Sequence, residues 1–135
     1  MQSESFKIRF VINDKELSFK DFLGLAQKVW PGSYNEQLCQ RALEKTINIT
    51  AWDKNVLIGC VRILSDGYFF STIPEILVIP EYQKAGVGER LMELAWENSP
   101  SSIFLGAQPG NEGFFEKLGY KKSMQSYVKK RQRKS

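Results

Sequence analysis

The sequence predicts an α/β (α+β) fold: a mixed, mostly antiparallel central sheet with helices on both faces, in the order β-α-α-β-β-β-α-β-α-β. Three observations carry that expectation. The chain opens on a period-two alternation, its middle breaks into three apolar runs separated by polar turn triplets, and other stretches repeat apolar residues at helical spacing. With 135 residues, 42% of them hydrophobic, there is enough for one core and little for a second. Residues 1–128 are expected to form a single domain, and 129–135 a basic, disordered tail with nothing to bury.

The elements follow in order. Phe6, Ile8, Phe10 and Ile12 alternate with Lys7, Arg9, Val11 and Asn13 as a half-buried first strand, and Asn13-Asp14-Lys15 turns the chain. Ser18 with Asp21 reads as a capping box, and Phe19, Phe22, Leu23, Ala26 and Val29 form one helical stripe that ends before Pro31. Ser33 with Glu36 reads as a second capping box, opening a short helix with Tyr34, Leu38 and Ala42 on one side and an end near Lys45. From Thr46 to Ile79 three antiparallel strands are expected, broken at Asp53-Lys54-Asn55 and at Ser65-Asp66-Gly67. Pro80 to Gly86 is a polar turn, and Val87, Leu91, Leu94 and Ala95 continue as a helix up to Asn98-Ser99-Pro100. Ile103 to Leu105 is a short strand, and Asn111 to Leu118 a last helix closed by Gly119 at C′. A final β segment is expected around Tyr120 to Val128.

Composition removes several chemistries. There is no His, so Ser-His-Asp and Cys-His catalysis and His-ligated metal sites are excluded, and Cys39 and Cys60 are too few for a structural zinc site. No metal is expected. No window approaches the roughly 20 apolar residues that span a bilayer, and the polar start lacks the apolar run of a secretory signal, so a cytoplasmic location is expected. Seven of the 19 basic residues fall in residues 121–135, where there is no acid; residues 1–120 therefore carry 12 − 15 = −3. That body suits a cationic acceptor without selecting one.

The stretch Glu75-Ile-Leu-Val-Ile-Pro-Glu-Tyr-Gln-Lys-Ala-Gly-Val-Gly-Glu-Arg-Leu-Met92 carries the chemistry. An apolar strand feeds a glycine-containing turn into a helix, whose first backbone N–H groups lack internal partners and point outward together. They can hold an anion, aided by the helix dipole. Gly86 and Gly88 let a pyrophosphate approach the backbone, and Lys84 can add charge. A Rossmann fingerprint fails at Leu91 and a Walker A loop at Glu89-Arg90.

Gln83, Gly86 and Gly88 match motif A of the GNAT superfamily of N-acetyltransferases, which this segment resembles. Leu77 to Tyr82 is similar to that family's fourth strand, and Gly113-Phe-Phe-Glu-Lys-Leu-Gly-Tyr120 to its later Phe-Tyr-Glu-Lys-Leu-Gly-Phe signature. The resemblance implies acetyl-CoA as co-substrate and an amine, on a small molecule or a protein, as acceptor. It implies a pyrophosphate on the backbone of Gln83, Lys84, Ala85, Gly86, Val87, Gly88 and Glu89, and a pantetheine arm along Leu77, Val78 and Ile79, paired like an added strand. It implies direct attack in a ternary complex. It also allows a homodimer, though no residue pattern marks an interface; no membrane partner is expected without an apolar span, and no specific nucleic acid, since the aromatics are not interleaved with the basic cluster.

Two catalytic roles need candidates. Glu75, re-aimed by a bulge that Pro74 favours, is the candidate base, acting through a water. The family's usual acid is the Tyr of its Phe-Tyr signature, where this chain has Phe115; Tyr120 and Tyr82 are the nearest alternatives. Trp30, Tyr34, Tyr68, Phe69 and Phe70 fall where the family walls its acceptor site. Cys39 and Cys60 read as core or near-core residues. The departure at Phe115 keeps a second reading open, an acyl-CoA-binding module that is catalytically weak or silent.

Overall fold

The computed structural model describes residues 7–133, so Phe6 of the expected alternation lies outside the described residues. Strands β1 (Ile8–Val11), β2 (Ile47–Asp53) and β3 (Val56–Ser65) pair antiparallel in sequence, with Ile8 opposite Asp53 and Ile47 opposite Ile63. The third central strand expected over Tyr68–Ile79 is two short ones, β4 (Ser71–Thr72) and β5 (Ile76–Val78), both antiparallel to β3. Leu64 opposes Thr72 and Val61 opposes Ile76, so Ile73, Pro74 and Glu75 face only Arg62 and Ile63. One residue is in excess, which is a β-bulge, and Pro74 has no N–H to give a ladder there. β6 (Ile103–Phe104) runs parallel to β4, giving the order β1-β2-β3-β4-β6. β5 pairs with β3 alone, so among the described residues its outer edge carries no strand.

The helices are α1 (Phe19–Val29), α2 (Glu36–Glu44), α3 (Val87–Asn98) and α4 (Glu112–Lys117), with a 3-10 turn at Pro80–Ala85. Ser18 caps α1 as expected, its hydroxyl accepting from the Asp21 N–H at 3.2 Å. α2 is capped by Asn35, not Ser33: the Asn35 side chain accepts from the Leu38 N–H at 2.9 Å, and Glu36 becomes the first helical residue. Asn is among the strongest N-caps, and here it wins over the Ser two residues earlier. Gly119 has φ +93° and ends α4 in the C′ position. The β segment expected around Tyr120 to Val128 does not form. Its apolar residues Met124, Tyr127 and Val128 are all exposed, so no buried face holds a strand there.

Strand alternation sorts β3 between two helical layers. Gly59 faces α3 so closely that an added Cβ would lie 3.2 Å from Leu91 Cδ1 and 3.3 Å from Val87 Cγ1. Cys60 and Arg62, on alternate positions, face the side covered by α1 and α2. The core runs through Ile49, Ile58, Val61, Ile63 and Leu91, all fully buried. Asp14, in the turn after β1, is buried too. Its carboxylate accepts from the Thr50 hydroxyl at 2.7 Å and the Trp52 indole N–H at 3.1 Å, tying the turn to β2.

Candidate active site

β5 has different surroundings on its two faces. Leu77 faces a groove of about 510 Å³ under α1 and α2, which also holds Phe22, Trp30, Tyr34, Cys39, Arg62 and Glu75. Val78 faces α3, its Cγ2 lying 3.9 Å from where a Gly88 side chain would begin. At the end of the strand the Gln83 side-chain amide donates to the Val78 carbonyl at 3.1 Å, tying the 3-10 turn to β5.

Gly86 closes that turn with φ +80°, a left-handed conformation that favours glycine, and it is the N-cap of α3. No side chain caps this helix, and nothing lies within 4 Å of where a Gly86 Cβ would be. The first backbone N–H groups of α3 therefore have no side-chain cap, with the helix dipole behind them and space open at Gly86, while Phe114 Cζ stands 3.6 Å from where a Gly88 Cβ would be. Lys84, Ala85 and Glu89 are exposed around this opening, whereas the Val87 side chain is buried in the core and only its backbone is available. The Ile79 side chain is buried, and its N–H is used by the Ile58 carbonyl at 2.9 Å. An anionic diphosphate fits this uncapped, glycine-lined helix start. Among the described residues no cluster of His, Cys, Asp or Glu could hold a metal.

Glu75 is in the groove, beside the bulge and one residue before β5, and it is not alone. The Arg62 Nε and Nη2 both donate to its carboxylate, the second at 2.9 Å, and the two side chains are 17% and 13% exposed. Burial alone would depress the Arg62 guanidinium, but the Glu75 hydrogen bonds outweigh it and hold the group above its ordinary value. Arg62 also lies over the Phe22 ring at 5.7 Å. The sequence reading missed Arg62, although a lone cation in the ten-residue run Val56–Ser65 was a signal: a charge on a buried strand needs a partner.

Tyr120 is elsewhere. It packs against Phe115, ring centroids 6.1 Å apart, and does not line the groove with Glu75. Its hydroxyl oxygen is buried with no hydrogen-bond partner, and burial holds the phenol above its ordinary range. Tyr82 donates its hydroxyl to Asp53, outside the groove. Trp30 and Tyr34 line the groove, and Tyr68, Phe69 and Phe70 do not. They sit at the exposed tip between β3 and β4, where Phe70 stacks on Phe104 at 5.5 Å. Burial raises both thiols, Cys39 at the groove and Cys60 in the core, which makes them poor nucleophiles.

The family model for the acetyltransferase (GNAT) domain matches residues 14–133. The chain belongs to the GNAT acetyltransferase family. Solved structures agree on the fold. A GNAT-family acetyltransferase from Streptococcus pneumoniae TIGR4 superposes with a TM-score of 0.74 at 23% identity, over 92% of this chain and 99% of that one. Glucosamine-6-phosphate N-acetyltransferase from Arabidopsis thaliana superposes with a TM-score of 0.66 at 17% identity, over 90% of this chain and 98% of that one. An aminoglycoside N-acetyltransferase solved in complex with CoA gives 0.72 at 14% identity, over 97% of this chain and 99% of that one. No curated protein matches the chain in sequence. Acetyl-CoA is the co-substrate that membership of this family brings, and no helix among the described residues is long and apolar enough to cross a membrane.

Proposed function

We propose that this GNAT domain is an N-acetyltransferase that moves an acetyl group from acetyl-CoA to a primary amine, on a small molecule or a protein, by direct attack in a ternary complex. One observation supports the reading: β5 separates the groove, which Leu77 lines, from the uncapped start of α3, near which Val78 packs. The backbone of Gln83 to Glu89 would hold the diphosphate, and the edge of β5 that carries no strand among the described residues would hold the pantetheine arm, which would compete there with the Gln83 amide for the Val78 carbonyl. Acetyl-CoA supplies an acetyl thioester, already activated for attack.

The chain's own residues handle two protons. As the C–N bond forms and the C–S bond breaks, the amine sheds a proton and the thiolate gains one. Glu75 takes the first through a water; its carboxylate has further lone pairs beyond the two that Arg62 occupies, and Arg62 fixes its aim. Tyr120 is the candidate for the second, because a buried hydroxyl without a partner is costly and a thiolate would relieve it. Phe115 has no proton to give. That lack, and the closure of Glu75 onto Arg62, favour a second reading in which the domain binds acyl-CoA with little turnover.

Calorimetric titration with acetyl-CoA tests the site. Gly86→Glu, which puts bulk and negative charge into the cradle, is expected to abolish binding. Gly86→Asn, tolerant of positive φ, retains it in part. Equal affinity in the Gly86→Glu protein would remove the cradle from the mechanism. CoA release on adding primary amines separates the two readings, since the silent module binds without release.

A further inference from the structure

Three residues of the basic tail lie against the domain. Arg131, Gln132 and Arg133 line the acceptor groove with Trp30, Tyr34 and Glu75. The Arg133 guanidinium carbon lies 5.5 Å from the centroid of the Tyr34 ring, within reach of a cation–π contact. The Tyr34 hydroxyl donates to the Trp30 carbonyl at 2.8 Å, which fixes the ring that meets the cation. Residues 121–133 are all exposed, so no burial of their own holds the tail against this face. The groove's aromatic walls can receive a flat, weakly hydrated cation, while its Glu75 carboxylate is already held by Arg62.

We propose that the groove is a binding site for an arginine- and lysine-rich peptide segment, and that the chain's own Arg131–Arg133 is its resident occupant. The tail is then a tethered competitor. A segment on a short flexible link acts at an effective concentration on the order of 1 mM, so a free peptide with a Kd about a tenth of that binds roughly tenfold more weakly while the tail is present. Resting on the transfer reading, the same site names the acceptor class: a lysine in a basic protein segment that displaces the tail.

The test is fluorescence anisotropy with a labelled peptide of residues 126–135, SYVKKRQRKS. Four proteins are compared: the full chain, the chain ending at Val128, that shortened chain with Tyr34→Leu, and the full chain with Arg131→Glu and Arg133→Glu. Circular dichroism and acetyl-CoA titration are run on each. The shortened chain is expected to bind the peptide about tenfold more tightly than the full chain, and the charge-reversed full chain to match it. Tyr34→Leu should cost two- to fivefold, the weight of one exposed cation–π contact. Equal peptide affinity in full and shortened chains would overturn the proposal, as would no peptide binding by a folded, shortened chain. Loss of acetyl-CoA binding in every protein, with the peptide pattern intact, would instead defeat the transfer reading and leave the groove assignment standing.

Discussion

Replacing Arg62 with Met leaves the Glu75 carboxylate in a half-closed groove without its two donors, at 13% side-chain exposure. Breaking a fully buried ion pair costs about 3–5 kcal/mol, and the remaining exposure here brings the expectation to about 2–3 kcal/mol. Removing both charges is a different perturbation: Arg62→Met with Glu75→Met leaves no orphan, so the double variant should fall within about 1 kcal/mol of the parent. A chain of this length loses about 3–5 °C of Tm per kcal/mol, which puts Arg62→Met about 6–15 °C lower and the double variant nearly unchanged. Urea unfolding followed by circular dichroism measures this, provided the slope with denaturant stays constant. The cycle should return a coupling of about 2 kcal/mol or more. In both variants acetyl-CoA affinity should hold, because neither residue is at the cradle. A double variant as unstable as the summed singles would refute the reasoning: Glu75 would not depend on Arg62, and its aim would have to come from the bulge alone.

Three further outcomes follow from particular contacts. Tyr120→Phe removes a buried hydroxyl that has no partner, so stability should hold or rise by about 1 kcal/mol while turnover falls; unchanged turnover would take Tyr120 out of the chemistry. Gly59→Val forces a side chain against Leu91 and Val87, already 3.2 and 3.3 Å from an added Cβ, and should destabilise by about 1–3 kcal/mol in thermal or urea melts; a neutral result would mean that α3 can back away from β3. Asp66 Oδ1 accepts the Tyr68, Phe69 and Phe70 N–H groups at 2.9, 2.8 and 3.1 Å, and the Tyr68 and then the Phe70 bonds hold its carboxyl below the ordinary 3.8. The folded value lies under the unfolded one, so this turn's stability is fully present above the unfolded pKa and is lost as pH falls through the folded one. The three amide NMR signals should therefore share an acid midpoint below 3.8, and a midpoint at or above it would contradict the geometry.

What could be read in the sequence, and what could not, divides by the distance over which the cause acts. Ser18, Gly119 and the Gly86 turn are local: a cap or a left-handed residue decides them within four positions, and the structure follows the expectation at each. The Pro74 bulge was legible for the same reason, because a missing N–H acts where it stands. Asn35 shows how near the competition can be, since two capping residues two positions apart could each start α2. The Arg62–Glu75 pair needed the register of β3 against β5, which no spacing in the sequence states. The same holds for Tyr68, Phe69 and Phe70: their aromatic character suited an acceptor wall, but the Asp66 turn holds the tip away from the groove. Composition alone made Arg131–Arg133 a solvated tail. Cation–π contacts bury little area, so no hydrophobic pattern announces them, and a partner such as Tyr34 can be found only once the fold brings it near. The chemistry proposed for this domain depends on such long-range meetings at β5. The variants at Arg62, Tyr120 and Tyr34 therefore probe those meetings, as the Gly86 variants probe the turn.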